Sequence, residues 1–295
     1  MLSFNIREEY PCTMRCEAML LGAALMGCRA PVNAQPVQRG PAPASVSLHM
    51  NLPYLDDGSS AHQLDLALPA KRGENPLLIF VHGGAWVSGD KSMYQRVGFI
   101  WGQRGYAVAI PNYRLSSSGA PKHPAHVEDI AAAYRWLVAN AGKYGYRKDR
   151  IYVIGHSAGA HIAGLLATGD YLRHSPPTGF VGLEGIYDLP KLDSAWPAYR
   201  NWFITKAFGN PNKWAVASPT RRPVVLKTPW LVIHSTQDEL VDVGQSQDFA
   251  KHLRDGGVSV SKHADEYSTH EAVASALLDP NSKVFRLVSD FVSSK

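Results

Sequence analysis

The chain has 295 residues, 45% hydrophobic and 19% charged, with 25 Gly and 20 Pro. At roughly 150 residues per domain that allows one large domain or two small ones, and the composition is neither disordered nor collagen-like. Such a length buries a full core without disulfide or metal staples, and a diffuse net charge of +5, with no block of Lys and Arg, points to no nucleic-acid partner.

Residues 18–27 (AMLLGAALMG) form an apolar run preceded by Arg15 and followed by Val32-Asn33-Ala34. The run is too short to span a bilayer as a helix, and the pattern is that of a secretory signal peptide over 1–34. An exported protein without a transmembrane segment is therefore expected, secreted or periplasmic. The LMGC ending at Cys28 also matches a lipoprotein acylation box, which would anchor the chain there instead. Glu8, Glu9 and Glu17 offset the leader's positive charge, so Met14 is an alternative start and a cytoplasmic protein the competing reading. All three cysteines, Cys12, Cys16 and Cys28, fall in this leader. Thiol catalysis, thiolate metal sites and internal disulfides are thus closed to the body of the chain. Residues 35–47 read as a Pro/Gly-bearing linker, leaving 48–295 as one catalytic domain.

Within that domain, 77–81 (LLIFV) is a buried-strand candidate, followed at once by His82-Gly83-Gly84-Ala85-Trp86. The next strand is 106–110 (YAVAI). A helix over 126–140 has apolar positions at Val127, Ile130, Ala131, Tyr134, Leu137 and Val138. Strand 151–154 (IYVI) runs into Gly155-His156-Ser157-Ala158-Gly159 and a helix from Ala158. Strand 180–186 follows. Residues 191–228 hold no strong strand, several aromatics and seven basic residues (Lys191, Arg200, Lys206, Lys213, Arg221, Arg222, Lys227) against Asp193 alone. They read as a small helical, lid-like insertion. The series ends with strand 229–234 (PWLVIH), a helix over 245–254, strand 258–263 and a helix over 282–292. Solid apolar strands joined by helices imply an α/β fold whose parallel sheet is covered on both faces.

The chemistry follows from what lies between these elements. Gly-x-Ser-x-Gly between a buried strand and an apolar helix is a nucleophile elbow, with Ser157 on a strained turn. Gly155 and Gly159 leave room where strand and helix pack closely. A tetrahedral acyl intermediate needs preorganised N–H donors; the amides of Gly84, Ala85 and Ala158 are the candidates. His82 reads as a brace for its loop. A serine hydroxyl needs a base, and the base an orienting acid. In the order serine, acid, histidine, Asp238 follows strand 229–234 and His270 follows strand 258–263. Asp242 is the rival acid and His263 the rival base, although a histidine inside a strand reads as structural. Asp188 ends a strand and precedes the insertion, which suits a lip or substrate role. His156 and His161 are five apart, on different faces, and do not make a metal pair. The chain holds no HExxH, P-loop or dinucleotide motif, so neither cofactor nor metal is expected.

These residues resemble the serine esterases of the α/β-hydrolase superfamily that carry HGG-type oxyanion loops. HGGAW is similar to the HGGxW pattern of kynurenine-formamidase-like and related carboxylesterases. Residues 182–189 (GLEGIYDL) look like the family segment entering the lid, and the likeness extends from about Leu64 to the C-terminus. HGGA in place of HGGG sets the chain apart from hormone-sensitive-lipase relatives. The resemblance implies an eight-stranded, mostly parallel sheet, Ser157 as nucleophile, Asp238 and His270 as its partners, and the amides of Gly84 and Ala85 as oxyanion donors. The expected activity is hydrolysis of a small or aromatic carboxylic ester through an acyl-enzyme. An aryl-formamidase or amidase using the same triad is the alternative, and a non-catalytic binding protein on this fold the remote one. For the insertion, one expectation is that its aromatics pack the lid and its charges face water. The sharper one is an aromatic, electropositive pocket.

Overall fold

Successive side chains of a strand point to opposite faces of its sheet, and the apolar runs here are used on both. In LLIFV, Leu77, Ile79 and Val81 enter one core while Leu78 and Phe80 enter the other. The computed structural model describes residues 45–118, 120–265 and 269–294. The leader expected over 1–34, its cysteines and most of the linker expected over 35–47 lie outside them.

The strands are β1 (Val46–Pro53), β2 (Gln63–Pro69), β3 (Pro76–Val81), β4 (Ala107–Pro111), β5 (Arg147–His156), β6 (Gly179–Leu183), β7 (Trp230–Ser235) and β8 (Val260–Asp265). Among the described residues they form one eight-stranded sheet in the order β1-β2-β4-β3-β5-β6-β7-β8. β1 and β2 pair antiparallel, as do β2 and β4; the pairings from β4 through β8 are parallel. The helices are α1 (Gln95–Gly102), α2 (Ala125–Tyr144), α3 (Ala158–Thr168), α4 (Leu189–Ala195), α5 (Thr205–Phe208), α6 (Gly244–Asp255), α7 (His270–Ser275) and α8 (Lys283–Ser293). Val97 and Trp101 of α1, Val273 of α7 and Phe285 and Val288 of α8 cover the face that receives Leu78 and Phe80. Ile130 and Tyr134 of α2, Ile162 of α3 and Phe249 of α6 cover the other. Among the described residues, no helix is long and apolar enough to cross a membrane.

The expected elements are present with shifted ends. α2 runs on to Tyr144 and is closed by Gly145, whose left-handed φ of 73° lets its amide reach the Ala141 carbonyl. β6 stops at Leu183, short of the expected 186, because Glu184 takes φ 49° and turns the chain out of the sheet. β1 begins inside the segment expected as linker, where Val46 and Ser47 pair with Pro69 and Leu68. Between β6 and β7, residues 191–228 contribute most of α4, a wide turn at Arg200–Ile204 and α5, with no strand. They sit over the C-terminal ends of the parallel strands, where ligands bind in open α/β sheets.

Candidate active site

Ser157 joins β5 to α3 with φ 54° and ψ −118°, a backbone conformation costly for any residue with a side chain. It persists because its surroundings fix it. The Ser157 amide donates to the Leu183 carbonyl at 2.9 Å, and the Ser157 carbonyl accepts from the amides of Ala160 and His161 at 3.0 and 3.1 Å. The flanking glycines are closely packed. A Cβ on Gly159 would lie 2.0 Å from the Val81 carbonyl oxygen, and one on Gly155 2.4 Å from that of Gly159. The turn therefore points the Ser157 side chain away from the sheet, at the N-terminal end of α3.

The loop after β3 comes up beside it. Gly83 lies against Ser157, and Gly84, Ala85 and Trp86 all have positive φ (113°, 51° and 60°). The Gly84 carbonyl is turned away and accepts from the amides of Val87 and Ser88 at 3.0 and 2.9 Å. Among the described residues, none accepts a hydrogen bond from the amide of Gly84, Ala85 or Ala158. His82 Nδ1 donates to the Gly83 carbonyl at 2.7 Å, and its ring stacks on Tyr113 with centroids 4.5 Å apart. Burial holds its pKa below the ordinary histidine value. Trp86 is fully buried against His161 and, from the insertion, Phe203 and Phe208.

His270 opens α7, and its Nδ1 donates to Asp238 Oδ2 at 2.8 Å. With the proton on Nδ1, Nε2 keeps a lone pair. Asp238 follows β7, and its Oδ1 accepts from the amides of Leu240 and Val241, both at 2.8 Å. Burial works to raise the Asp238 pKa, but hydrogen bonds with His234, His270 and Glu184 outweigh it and hold the carboxyl well below its usual range. The rivals sit elsewhere. Asp242 is exposed and accepts from the Gly244 amide at 2.8 Å. His263 lies within β8, opposite Ile233. Asp188 caps α4 through the Lys191 amide and pairs with Arg221 at 2.8 Å. His156 and His161 each turn Nε2 to a backbone carbonyl, of His270 at 3.0 Å and of Ala217 at 2.8 Å.

Two residues beside Asp238 escaped the sequence reading. Glu184 is fully buried, and its Oε1 accepts from the Ser235 amide at 2.9 Å. His234 Nε2 lies 3.0 Å from Glu184 Oε2, 3.1 Å from Asp238 Oδ2 and 3.0 Å from the Val241 carbonyl, while its Nδ1 meets Ser246 Oγ at 2.7 Å. Burial, then the hydrogen bond and charge of Asp238, push the Glu184 pKa up to about 10. The available signal was a charged residue closing an otherwise apolar strand, in FVGLE. Ligand atoms of Glu184, Asp238 and His270 lie within 4.8 Å of one another, as do those of His156, His270 and Glu271. In the first set the hydrogen bonds just described account for the grouping, and we assign neither as a metal site.

Ser157 and His270 border one cavity of about 330 Å³, together with Gly84 and Ala85. Tyr199, Trp202 and Phe203 of the insertion line it, as do Ile186, Leu240 and Val241. The electropositive pocket is not found. Among the described residues no Lys or Arg lines it, and its one acidic lining residue is Glu271. Five of the insertion's seven basic residues are engaged elsewhere, and none of the seven lines the cavity: Lys191 with Asp248, Arg200 with Asp193, Arg221 with Asp188, Arg222 with the Val216 carbonyl, and Lys227 with the Gly256 carbonyl.

The model of the BD-FAE family matches residues 64–253. A kynurenine formamidase of Meyerozyma guilliermondii is 31% identical over 239 residues, which take in 75% of this chain and 86% of that protein. The esterase LipQ of Mycobacterium tuberculosis is 30% identical over 247 residues, 77% of this chain and 56% of that protein. The chain thus spans most of the formamidase but little more than half of the mycobacterial esterase. Among solved structures, esterase B of Lactobacillus rhamnosis superposes with a TM-score of 0.73 at 20% identity, covering 87% of each chain.

Proposed function

Because the chain belongs to the BD-FAE family, hydrolases among the α/β-hydrolase esterases, we propose that it cleaves a small or aromatic carboxylic ester through an acyl-enzyme on Ser157. The observation that carries this reading is the meeting, around one cavity, of Ser157, an Asp238-bound His270 and the amides of Gly84 and Ala85. Neutral His270 takes the Ser157 proton at Nε2 as the oxygen attacks the carbonyl carbon, and Asp238 holds the tautomer. The amides of Gly84, Ala85 and Ala158 receive the oxyanion. The tetrahedral species collapses, and His270 returns the proton to the leaving alcohol. Water then repeats the sequence on the acyl-enzyme and releases the acid. Catalysis belongs to residues 48–295 in this reading, with 191–228 as a lid-like wall and 1–34 as an export leader.

Aryl-formamide hydrolysis is the second reading, favoured by the formamidase relative and the coverage of its length. The same groups serve, but His270 must protonate a more basic nitrogen leaving group. Rates on a short-chain aryl ester and on N-formylkynurenine decide between the two. Ser157→Ala should lower either rate by about a thousandfold or more with the fold intact, and should abolish labelling by a fluorophosphonate probe. Normal turnover in that variant removes Ser157 as nucleophile. Folded wild-type protein that takes no label favours a binding protein on this fold.

A further inference from the structure

Glu184 has no part in the mechanism above, yet it sits behind the Asp238 carboxylate with no route to solvent. Its donors are few. Oε1 has the Ser235 amide. Oε2 faces His234 Nε2, which also reaches Asp238 Oδ2 and the Val241 carbonyl, and carboxylate oxygens of Glu184 and Asp238 lie within 4.8 Å of each other. Asp238, by contrast, collects the His270 Nδ1 proton and the amides of Leu240 and Val241. The remaining titratable groups facing the pair are His156, Tyr187 and Asp265. His156 is buried and neutral, with a bare Nδ1, and Asp265 adds negative charge rather than relieving it. Among the described residues, no Lys or Arg pairs with either carboxyl.

Two ionised carboxylates side by side, with one imidazole N–H and no Lys or Arg between them, are strongly unfavourable in a buried site. One proton between them removes the repulsion and turns it into a hydrogen bond. The proton belongs on the partner with fewer donors. On the reading of Asp238 and His270 given above, we propose that Glu184 is a positioning residue for acyl transfer: as a neutral carboxylic acid it donates from Oε2 to the Asp238 carboxylate, and so fixes the group that orients His270. As a neutral acid it adds no second negative charge behind the imidazole. The shared proton also gives Oε2, otherwise unpartnered, its hydrogen bond.

Infrared difference spectra of the whole protein test this together with steady-state pH profiles of Glu184→Gln and Glu184→Leu. Glutamine keeps an acceptor for the Ser235 amide and an N–H donor toward Asp238 without ionising. The expected result is a protonated-carboxyl stretch at neutral pH in the wild type that Glu184→Gln lacks. That variant should keep kcat within about threefold and leave the acid limb of kcat/KM where it was. Leucine, which offers no donor, should lower kcat by about tenfold or more while KM changes little. The proposal falls if the wild type has no such band, or if Glu184→Gln moves the acid limb to lower pH, as removal of a real negative charge would. Wild-type kcat in Glu184→Leu also overturns it; should leucine prevent folding, the glutamine variant and the spectrum still decide. The band is read without turnover, so it stands apart from the Ser157→Ala result that tests the reaction itself.

Discussion

The ring of His156 is tied to the main chain of His270, with Nε2 of the first 3.0 Å from the carbonyl oxygen of the second. A carbonyl only accepts, so Nε2 carries the proton and the ring is neutral, with a buried, unpartnered Nδ1. Burial, then the charge of His270, push its pKa down to about 3. The residue before Ser157 therefore clamps the first residue of α7, and the end of β5 and the imidazole of His270 are held as one piece.

That clamp is one of several histidines that are uncharged in the fold, and acid should release them together. Burial is the largest cause in each case, lowering His123 and His126 to about 4 and His156 and His161 to about 3. In an unfolded chain the same rings titrate near 6.5. The unfolded state thus binds more protons through this window, so stability rises with pH there. Their contribution is full above about pH 6.5 and is lost as pH falls toward 4, by up to about 1.4 kcal/mol per pH unit for each ring. Glu184, raised to about 10, acts in the opposite sense and offsets one ring. Urea midpoints measured at pH about 7, 6 and 5 should therefore decline in that order. A constant midpoint would mean that the rings take up protons in the folded protein as readily as in the unfolded chain.

Asp238→Asn should cut kcat by about ten-thousandfold, because an amide presents the wrong partner to the Nδ1–H tautomer of His270. Asp242→Asn and His263→Gln should each leave kcat/KM within about threefold, since neither side chain lines the cavity. Loss of activity in either rival, with retention in Asp238→Asn, would reassign the acid or the base.

Glu271 brings a negative charge to an otherwise aromatic and aliphatic cavity. At about 4 Å in a water-like dielectric such a charge opposes an anion by about 1 kcal/mol, equivalent to about fivefold in rate. Glu271→Gln should raise kcat/KM on an anionic ester by that order and leave a neutral ester of the same size unchanged. Added salt should favour the anionic substrate in the wild type and have little effect in the variant. Equal responses of the two esters would remove Glu271 from specificity.

Much of this was legible because the informative residues have narrow backbone requirements. Gly155 and Gly159 flank a turn that admits little else at those points, and Gly83-Gly84 follow a strand of solid apolar residues. The parallel strands announce themselves by being buried on both faces. β1 does not: Leu48 and Met50 are each 50% exposed, so its alternation is blurred. α1 escaped because Gly98 and Gly102 interrupt its apolar face, where they admit Ala67 and Val46 to close contact. The charge of the insertion was countable, but its direction was not. Arg200 and Arg221 each find a carboxylate away from the cavity, and only their three-dimensional placement reveals it. Glu184 is not legible inside GLEGIYDL because a single charge just past an apolar strand has the pattern of a solvated turn, and only the fold buries it.

The aromatic wall of the cavity and the acid–imidazole chain have separate origins along the polypeptide. Tyr199, Trp202 and Phe203 come from the excursion between β6 and β7, whereas Glu184, His234 and Asp238 belong to the tips of those same two strands. The wall can therefore be recut, by lengthening the excursion or exchanging a ring, while the strand tips keep their register. What the cavity admits and how the acid–imidazole chain is built are free to evolve at different speeds.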